Sequence, residues 1–428
     1  MRKLLLATTA VVATAFIAPT AMAQDPAGMV MPTRMAGANT NALGVRLGGF
    51  FEFRAYSIND DNDRNAVTNA AGNRRFGRQP VDFQNELELN VFIDGKASNG
   101  MTYGAVFEFQ MDGNQTLTAN AVNMDEAYAF ISHPTFGTVR FGAEDSAASI
   151  MQVRAPTIQG TSVSDFFDEA FIRQSSITGM NDGNDATKII YLSPQFFGFD
   201  FGLSYAPNPG EGEGQGETGG TAPAGVFTRD RDRLNQRNEV TAALRYRGVF
   251  GPVGLSLSAV GQQIDSNARY GGAPNAAGGQ LRSRITAYSA GAQVAAYGFT
   301  IGGEYTFGDY RVSNAGNQAT GRVAQDRGDD ATTQFVIGVT YNVPGTPLAL
   351  GAFYGRVDSD INGTGPKYRQ EGYGFGLAYT LAPGLVTYAS YGHLRDTNSR
   401  TVDQNLAAGG FQTTRNAESY SAGFRLAF

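Results

Sequence analysis

Apolar and polar residues alternate with a period of two along much of this chain. In the segment MTYGAVFEFQM (101–111), Phe107 and Phe109 fall on one face, and Glu108 and Gln110 fall on the other. The same division recurs in FDFGLSYA, QFVIGVTYN and YGFGLAYT. A period of two is typical of β-strands that present one apolar and one polar face. The pattern therefore predicts a protein built from β-strands.

Sixteen segments carry this pattern, and they are spread over the chain from residue 44 to residue 428. Two of them, 124–132 and 385–394, alternate weakly, so the direction of their faces stays open. The predicted strands are 44–56, 82–93, 101–111, 124–132, 138–144, 187–193, 199–206, 238–247, 253–262, 285–296, 299–307, 333–342, 347–356, 372–381, 385–394 and 416–428.

The connections between these segments alternate between short and long. The short ones, such as SHPTFG, NVPGTP and APG, are rich in the turn residues Gly, Pro and Asn. The long ones are 57–81, 112–123, 145–186, 207–237, 263–284, 308–332, 357–371 and 395–415. A barrel in an outer membrane has this asymmetry, because one rim carries short turns and the other carries long loops. We therefore predict an all-β fold, a 16-stranded antiparallel transmembrane β-barrel over residues 44–428.

The last predicted strand, YSAGFRLAF, places Tyr420, Phe424 and Phe428 on one face and Arg425 on the other. Unpaired backbone groups that face hydrocarbon cost several kcal/mol each, so a barrel in a membrane must close on itself. The last strand is therefore expected to pair with the first. Phe428 would then lie in the aromatic girdle at the membrane interface.

The first residues of the chain have the features of a secretory signal peptide. Arg2 and Lys3 precede an apolar run, and Ala21-Met22-Ala23 has the A-x-A cleavage pattern. We assign 1–23 to the signal peptide, and 24–43 form an N-terminal segment of unclear role. The chain is acidic, with a formal charge of -6, and contains no cysteine, which excludes disulfides and thiol chemistry.

Two internal stretches and the terminal strand resemble the general-diffusion porins of Gram-negative outer membranes. The stretches are DEAYAFISHPTFGTVRFGAED (125–145) and IIYLSPQFFGFDFGLSYAPN (189–208). The resemblance implies a homotrimer in the bacterial outer membrane, with one water-filled pore per subunit for small hydrophilic solutes and ions. It also implies contact with outer-membrane lipid and lipopolysaccharide, and it makes Phe428 similar to the signal that the barrel insertion machinery reads. It implies no cofactor, no metal and no nucleic acid.

The longest connection, 145–186, is the third long one, and the resemblance implies that it folds inward as a constriction loop. Its candidate pore residues are Asp165, Asp168, Glu169 and Arg173. In the resembled family such acids face basic residues on the opposite wall, and the transverse field selects ions by charge.

Candidate wall residues lie on the polar faces of predicted strands. They are Arg54, Glu86, Glu88, Glu108 and Arg140. Further wall arginines are Arg46, Arg245, Arg247 and Arg425. The alternative is that these are scattered solvated residues without a special role. An acidic loop opposite a mixed wall predicts a weak preference for cations.

Other functions are less favoured by the sequence. A porin selective for sugars or anions needs an aromatic slide or a basic ladder, and Phe50, Tyr56, Phe92 and Tyr128 are few for a slide. A barrel enzyme or structural surface protein is a further alternative. His133 and His393 belong to opposite ends of the predicted barrel, so they form no catalytic triad, and we expect no enzyme.

The Asp-rich stretches NDDNDRN and NDGNDA (181–186) are interpreted as solvated loops, with calcium bridging at the outer rim as the alternative.

Overall fold

The computed structural model describes residues 43–61, 80–112, 123–161, 185–209, 236–266, 269–270, 280–281, 284–310, 331–360, 367–399 and 412–428. The signal peptide and the N-terminal segment predicted from the sequence lie outside these residues. The strands, in chain order, are β1 (Gly44–Asp60), β2 (Val81–Lys96), β3 (Thr102–Asp112), β4 (Asn123–His133), β5 (Gly137–Ala143), β6 (Thr187–Leu192), β7 (Phe199–Ala206), β8 (Gln236–Phe250), β9 (Val253–Ser266), the two-residue β10 (Arg269–Tyr270) and β11 (Gln280–Leu281), β12 (Ile285–Ala296), β13 (Phe299–Asp309), β14 (Ala331–Asn342), β15 (Leu348–Ser359), β16 (Tyr368–Ala382), β17 (Leu385–Ser399) and β18 (Gln412–Ala427).

Sixteen of these strands form a closed antiparallel barrel. Each pairs with its neighbours along the chain, β9 pairs with β12, and β1 pairs with β18 to close the ring. The predicted 16-stranded barrel is confirmed. Several strands extend further toward the long connections than the alternation predicts. β17, for example, continues through Arg395 and Asp396 to Ser399, because backbone pairing continues where the side chains are no longer apolar.

The two faces of the barrel wall have opposite character. In β7, Phe201 and Leu203 point outward and are exposed, whereas Asp200 and Ser204 point inward and are buried. Large apolar side chains are therefore exposed around the outside, while the interior is lined with polar groups. This is the reverse of a water-soluble protein and suits a barrel surrounded by lipid. In the part of the chain that the structure describes, no helix is long and apolar enough to cross a bilayer.

Short turns fix the register at one rim. β12 and β13 are joined by Tyr297 and Gly298, which both have positive φ, 52° and 85°. Two successive residues of positive φ form the two-residue turn whose twist matches that of paired strands. Rings project outward at this rim, and those of Phe299 and Tyr341 stack with centroids 4.1 Å apart.

The seam between β1 and β18 is closed along its length. Phe428 N donates to Gly49 O at 3.1 Å, and Gly49 N donates to Phe428 O at 3.2 Å. At the opposite end of the seam, Arg415 donates to Asp60 at 2.5 Å within a buried ion pair. The expected pairing of the last strand with the first is thus present. The role of Phe428 as an insertion signal stays a prediction.

The described part of the third long connection lies against the interior wall. It begins with the short helix α1 (Ala147–Met151), capped by Ser146. Backbone N–H groups of the connection donate hydrogen bonds to hydroxyl groups of the wall. Ala147 N donates to Ser204 Oγ at 3.1 Å, and Val153 N donates to Ser258 Oγ at 2.7 Å. These hydroxyls belong to the buried face of β7 and β9, so this segment runs inside the barrel. Residues 162–184 lie outside the described residues.

We predict that Gly49→Ala destabilises the barrel. Gly49 has φ of 146°, and a Cβ atom there would lie 2.1 Å from the backbone oxygen of Glu88. Strained backbone of this kind costs about 1–3 kcal/mol, so the temperature at which the barrel unfolds on a heated gel should fall.

The matched control is Gly44→Ala on the same strand, where the added Cβ would meet its nearest atom at 3.8 Å. It should leave the unfolding temperature unchanged. Equal effects of the two substitutions would contradict the requirement for glycine at position 49.

Candidate functional site

Glu52 joins four elements on the interior wall. Even-numbered residues of β1 face inward, so Glu52 and Arg54 share this face, and Glu52 has no exposed surface. Its carboxylate accepts hydrogen bonds from Arg54 Nε and from the hydroxyl of Tyr388 on β17. It also accepts a hydrogen bond from Gln159 Nε2 at 2.7 Å, and Arg425 Nη1 lies 3.6 Å away. One carboxylate thus connects β1, β17 and β18 to the third connection.

Several of the described arginines that face the interior are paired with acids. Arg54 bridges Glu52 and Glu86, the second at 3.5 Å. The remaining pairs are Arg46 with Asp94 at 2.9 Å, Arg140 with Glu144 at 2.6 Å, Arg245 and Arg247 with Asp200 at 2.7 and 3.0 Å, and Arg415 with Asp60 and Asp396. An acid therefore lies beside each of these arginines, although Arg245 and Arg247 share the single carboxylate of Asp200.

Aromatic rings on the interior support several of these arginines. The guanidinium of Arg425 lies 3.5 Å from the ring centroid of Phe50, and that of Arg140 lies 5.0 Å from that of Tyr128. Arg46 lies over Phe92 in the same way, at 5.3 Å. Stacking of a guanidinium on a ring stabilises the charge and fixes its position.

Glu88 and Glu108 lie side by side on β2 and β3. In the register of these strands Asn90 is opposite Glu108, and Asn90 Nδ2 donates to Glu88 at 2.7 Å. Neither carboxylate forms an ion pair within the described residues. This part of the wall therefore groups two carboxyl groups that form no ion pair, and Arg425 lies close enough to act electrostatically on Glu88.

A second acidic group lies where the third connection leaves and rejoins the wall. Carboxylate oxygens of Glu126, Asp145 and Asp185 lie within 4.8 Å of one another, and all three residues are buried. The sequence interpretation of Asp185 as a solvated loop residue is wrong, because its exposed fraction is 5%.

Glu144 belongs to the same region, one residue beyond the end of β5. Burial raises the pKa of its carboxyl to about 7, although the charges of Arg140 and Lys188 act in the opposite direction. Lys188 Nζ donates to the backbone oxygen of Glu144. Two cationic side chains thus share a small volume with four carboxylates.

The structure separates the predicted site residues into two groups. Arg54, Glu86, Glu88, Glu108 and Arg140 all lie on the interior face, and Arg54 and Glu86 contact each other. Their roles in the pore stay predictions. The candidate constriction residues are Asp165, Asp168, Glu169 and Arg173, which lie outside the described residues.

Two interior residues that the sequence analysis did not select are central to the geometry. Glu52 shares a face with Arg54, and this alternation was the available signal. Gln159 lies more than a hundred residues away in the chain, and no local pattern links the two.

The model of the family described as Gram-negative porin matches residues 7–399 of the chain. The chain belongs to the Gram-negative porin family. It is therefore a porin of the bacterial outer membrane, a family typical of non-enzymatic channels. No curated protein sequence matches it.

Solved structures share the fold of this porin at low sequence identity. A loop L8 deletion mutant of OmpT, an outer membrane protein of Vibrio cholerae, is 14% identical with a TM-score of 0.55, covering 91% of this chain and all of the other. The trimer form of in-vitro folded OmpT is 13% identical with a TM-score of 0.52, covering 91% and 100%. An anion-selective porin from Comamonas acidovorans is 18% identical with a TM-score of 0.51, covering 90% and 100%.

We predict that Glu52→Gln weakens the attachment of the third connection to the wall. Removing one partner of a buried charge pair costs about 3–5 kcal/mol, and here Arg54 and Arg425 both lose a counter-charge. The unfolding temperature should fall, and single-channel recordings should become noisier.

Asp94→Asn is the matched control, because it removes a single, partly exposed ion pair with Arg46. Its effect on the unfolding temperature should be much smaller. A quiet channel of unchanged stability in Glu52→Gln would show that this junction does not hold the connection.

Proposed function

We propose that this porin forms a water-filled channel through which small hydrophilic solutes and ions diffuse passively, with a weak preference for cations. The constriction loop 145–186 sets the size limit, and its candidate pore residues are Asp165, Asp168, Glu169 and Arg173. Support comes from residues 146–161, the described first part of this loop, which follow the interior wall.

The charge distribution carries the proposed cation preference. Among the buried residues that the structure describes, eleven are acidic and three are basic. The inward-facing arginines named above are paired with acids, whereas Glu88 and Glu108 are not paired with a cation. The excess negative charge attracts cations into the lumen and repels anions.

Selectivity for sugars or anions is the second candidate, and the geometry favours it less. The interior rings of Phe50, Phe92 and Tyr128 carry arginines on their faces, so they do not present a continuous surface to a sugar. A basic ladder for anions needs uncompensated arginines, and Arg46, Arg54, Arg140, Arg245 and Arg415 of the described wall are each paired with an acid.

Planar bilayer recordings test this function. We expect an ohmic, water-filled pore whose reversal potential under a salt gradient has the sign of cation preference. The combined variant Asp165→Asn, Asp168→Asn, Glu169→Gln should shift this potential toward zero, and so should Glu88→Gln with Glu108→Gln. Unit charges about 4 Å apart in water interact by about 1 kcal/mol, so the permeability ratio should change several-fold.

Glu371→Gln is the control, because Glu371 lies on the outward face of β16 beside Arg356. It should leave selectivity unchanged. Anion preference of the unsubstituted pore would overturn the proposed selectivity, and block by one specific solute would favour the second candidate. A barrel that never conducts would overturn the channel itself.

We propose that three copies assemble, in contact with outer-membrane lipid and lipopolysaccharide, after delivery by the barrel insertion machinery. The family resemblance and the exposed apolar outer face support this assembly. The unheated protein should run on a gel at trimer size, and heating should convert it to the monomer. A single band at monomer size before and after heating would contradict the trimer.

A further inference from the structure

We propose that Glu88, Asn90, Glu108 and Arg425 form a binding site in the lumen for a zwitterionic α-amino acid. The acids and Asn90 bind its ammonium group, and Arg425 binds its carboxylate. These residues lie on β2, β3 and β18, which together with β1 are four consecutive strands of the closed ring. The site stands on its own geometry, while its access from the lumen rests on the open pore proposed above.

Strand register brings these residues to one part of the interior wall. Glu88 lies opposite Phe50 of β1, and Asn90 lies opposite Glu108. The guanidinium of Arg425 lies over the ring of the same Phe50, 3.5 Å from its centroid, and acts electrostatically on Glu88. A positive and a negative group are consequently close to each other on one wall, as the two adjacent charges of an amino acid require.

The guanidinium of Arg425 has hydrogen-bonding capacity left for a ligand. Glu52 is its ion-pair partner at 3.6 Å, and that carboxylate already accepts hydrogen bonds from other side chains. Within the described residues Arg425 donates no hydrogen bond. Stacking on Phe50 uses the face of the guanidinium and leaves the N–H groups at its edge available. The side chain is 34% exposed, so a carboxylate in the lumen can bind this edge with two hydrogen bonds.

The acidic half of the site contains an acceptor without a donor. Asn90 Nδ2 donates to Glu88 Oε1 at 2.7 Å, and neither Glu88 nor Glu108 forms an ion pair within the described residues. Asn90 is 4% exposed, and its Oδ1 is buried without a hydrogen-bond partner. Because Asn90 contacts Glu88 and lies opposite Glu108, this oxygen belongs to the same group of acceptors. A buried carbonyl oxygen without a donor costs free energy, which a donor from a ligand recovers.

These acceptors select a primary ammonium group. Such a group has three N–H donors and one positive charge, which match two carboxyl groups and one amide oxygen. It also reduces the repulsion between Glu88 and Glu108, to which the neighbouring Asp125 contributes. A metal ion would repel Arg425 and leave it without a ligand, whereas an α-amino acid provides a carboxylate directly beside its ammonium group.

Ligand-observed NMR of the purified full-length porin in detergent micelles tests the proposal, with L-alanine as the probe. We expect a saturable saturation-transfer signal from L-alanine. Glycine, which has both charges, should compete for the site. Propionate lacks the ammonium group and L-alaninamide lacks the carboxylate, so each should compete at least about tenfold more weakly than glycine, because charge-assisted hydrogen bonds are lost.

Substitutions test the two halves of the site separately. Arg425→Gln should weaken the binding of L-alanine at least about tenfold, and so should Glu88→Gln combined with Glu108→Gln. Arg356→Gln and Glu304→Gln are the matched controls. Arg356 is 31% exposed, close to the value for Arg425, but lies on the outward face of β15, and Glu304 is 7% exposed like Glu108 but lies on β13. Both controls should bind L-alanine as the unsubstituted porin does.

The proposal is overturned if the unsubstituted porin gives no saturable signal, or if the folded site variants bind L-alanine equally well. Loss of binding to the same extent in the controls also overturns it. Competition by propionate or L-alaninamide as strong as that by glycine would replace the amino-acid site by a site for a single charge. The site variants remove opposite halves, so a decision is possible even where one fails to fold, as judged by the heat shift on a gel.

Bilayer recordings separate this inference from the proposed function. A conducting pore that binds no L-alanine overturns the amino-acid site and leaves the channel intact. A closed barrel that binds L-alanine overturns the channel and leaves the amino-acid site intact.

Discussion

Pairing of every backbone N–H and C=O group across the barrel wall is the constraint on which this structure depends. Lipid offers these groups no hydrogen-bond partner, so a sheet with two free edges is unstable in a membrane. The sixteen strands meet the constraint only when β1 pairs with β18, a contact that includes the reciprocal bonds of Gly49 and Phe428. The outward display of apolar side chains is possible because each strand beneath them pairs with a neighbour on both sides around the closed ring.

Closure also creates the interior and determines its chemistry. Side chains alternate across a strand, so an apolar outer face leaves the other half of the residues facing a confined volume. In this porin that volume holds charges, and arginines are placed by acids and by rings at once, as with Arg425 between Glu52 and Phe50. A charge held on two sides keeps its position, so the electric field in the lumen is a fixed property of the wall.

The sequence predicted the barrel because its signals are local. Alternation of apolar and polar residues indicates a strand, and the contrast of short and long connections indicates the two rims. Both patterns can be recognised in the sequence without knowing which distant residues are in contact. The candidate functional site was harder to predict from the sequence than the barrel, because its contacts join segments that are far apart in the chain. Alternation places Glu52 inside but does not reveal Gln159 as its partner. Asp185 stands in NDGNDA, which looks like a solvated loop, and only the pairing of β5 with β6 shows that it is buried beside Asp145.

The path of the third connection along the wall is determined by small residues in the strands that it crosses. At Gly291 of β12 an added Cβ would lie 1.7 Å from Val153 O, and at Gly338 of β14 it would lie 2.6 Å from Pro156 O. Glycine at these two positions lets the backbone of the connection approach the strands directly, while neighbouring side chains such as Gln293 donate to its carbonyl oxygens. The wall therefore provides both space and hydrogen-bond partners along one route. The barrel itself therefore positions residues 146–161.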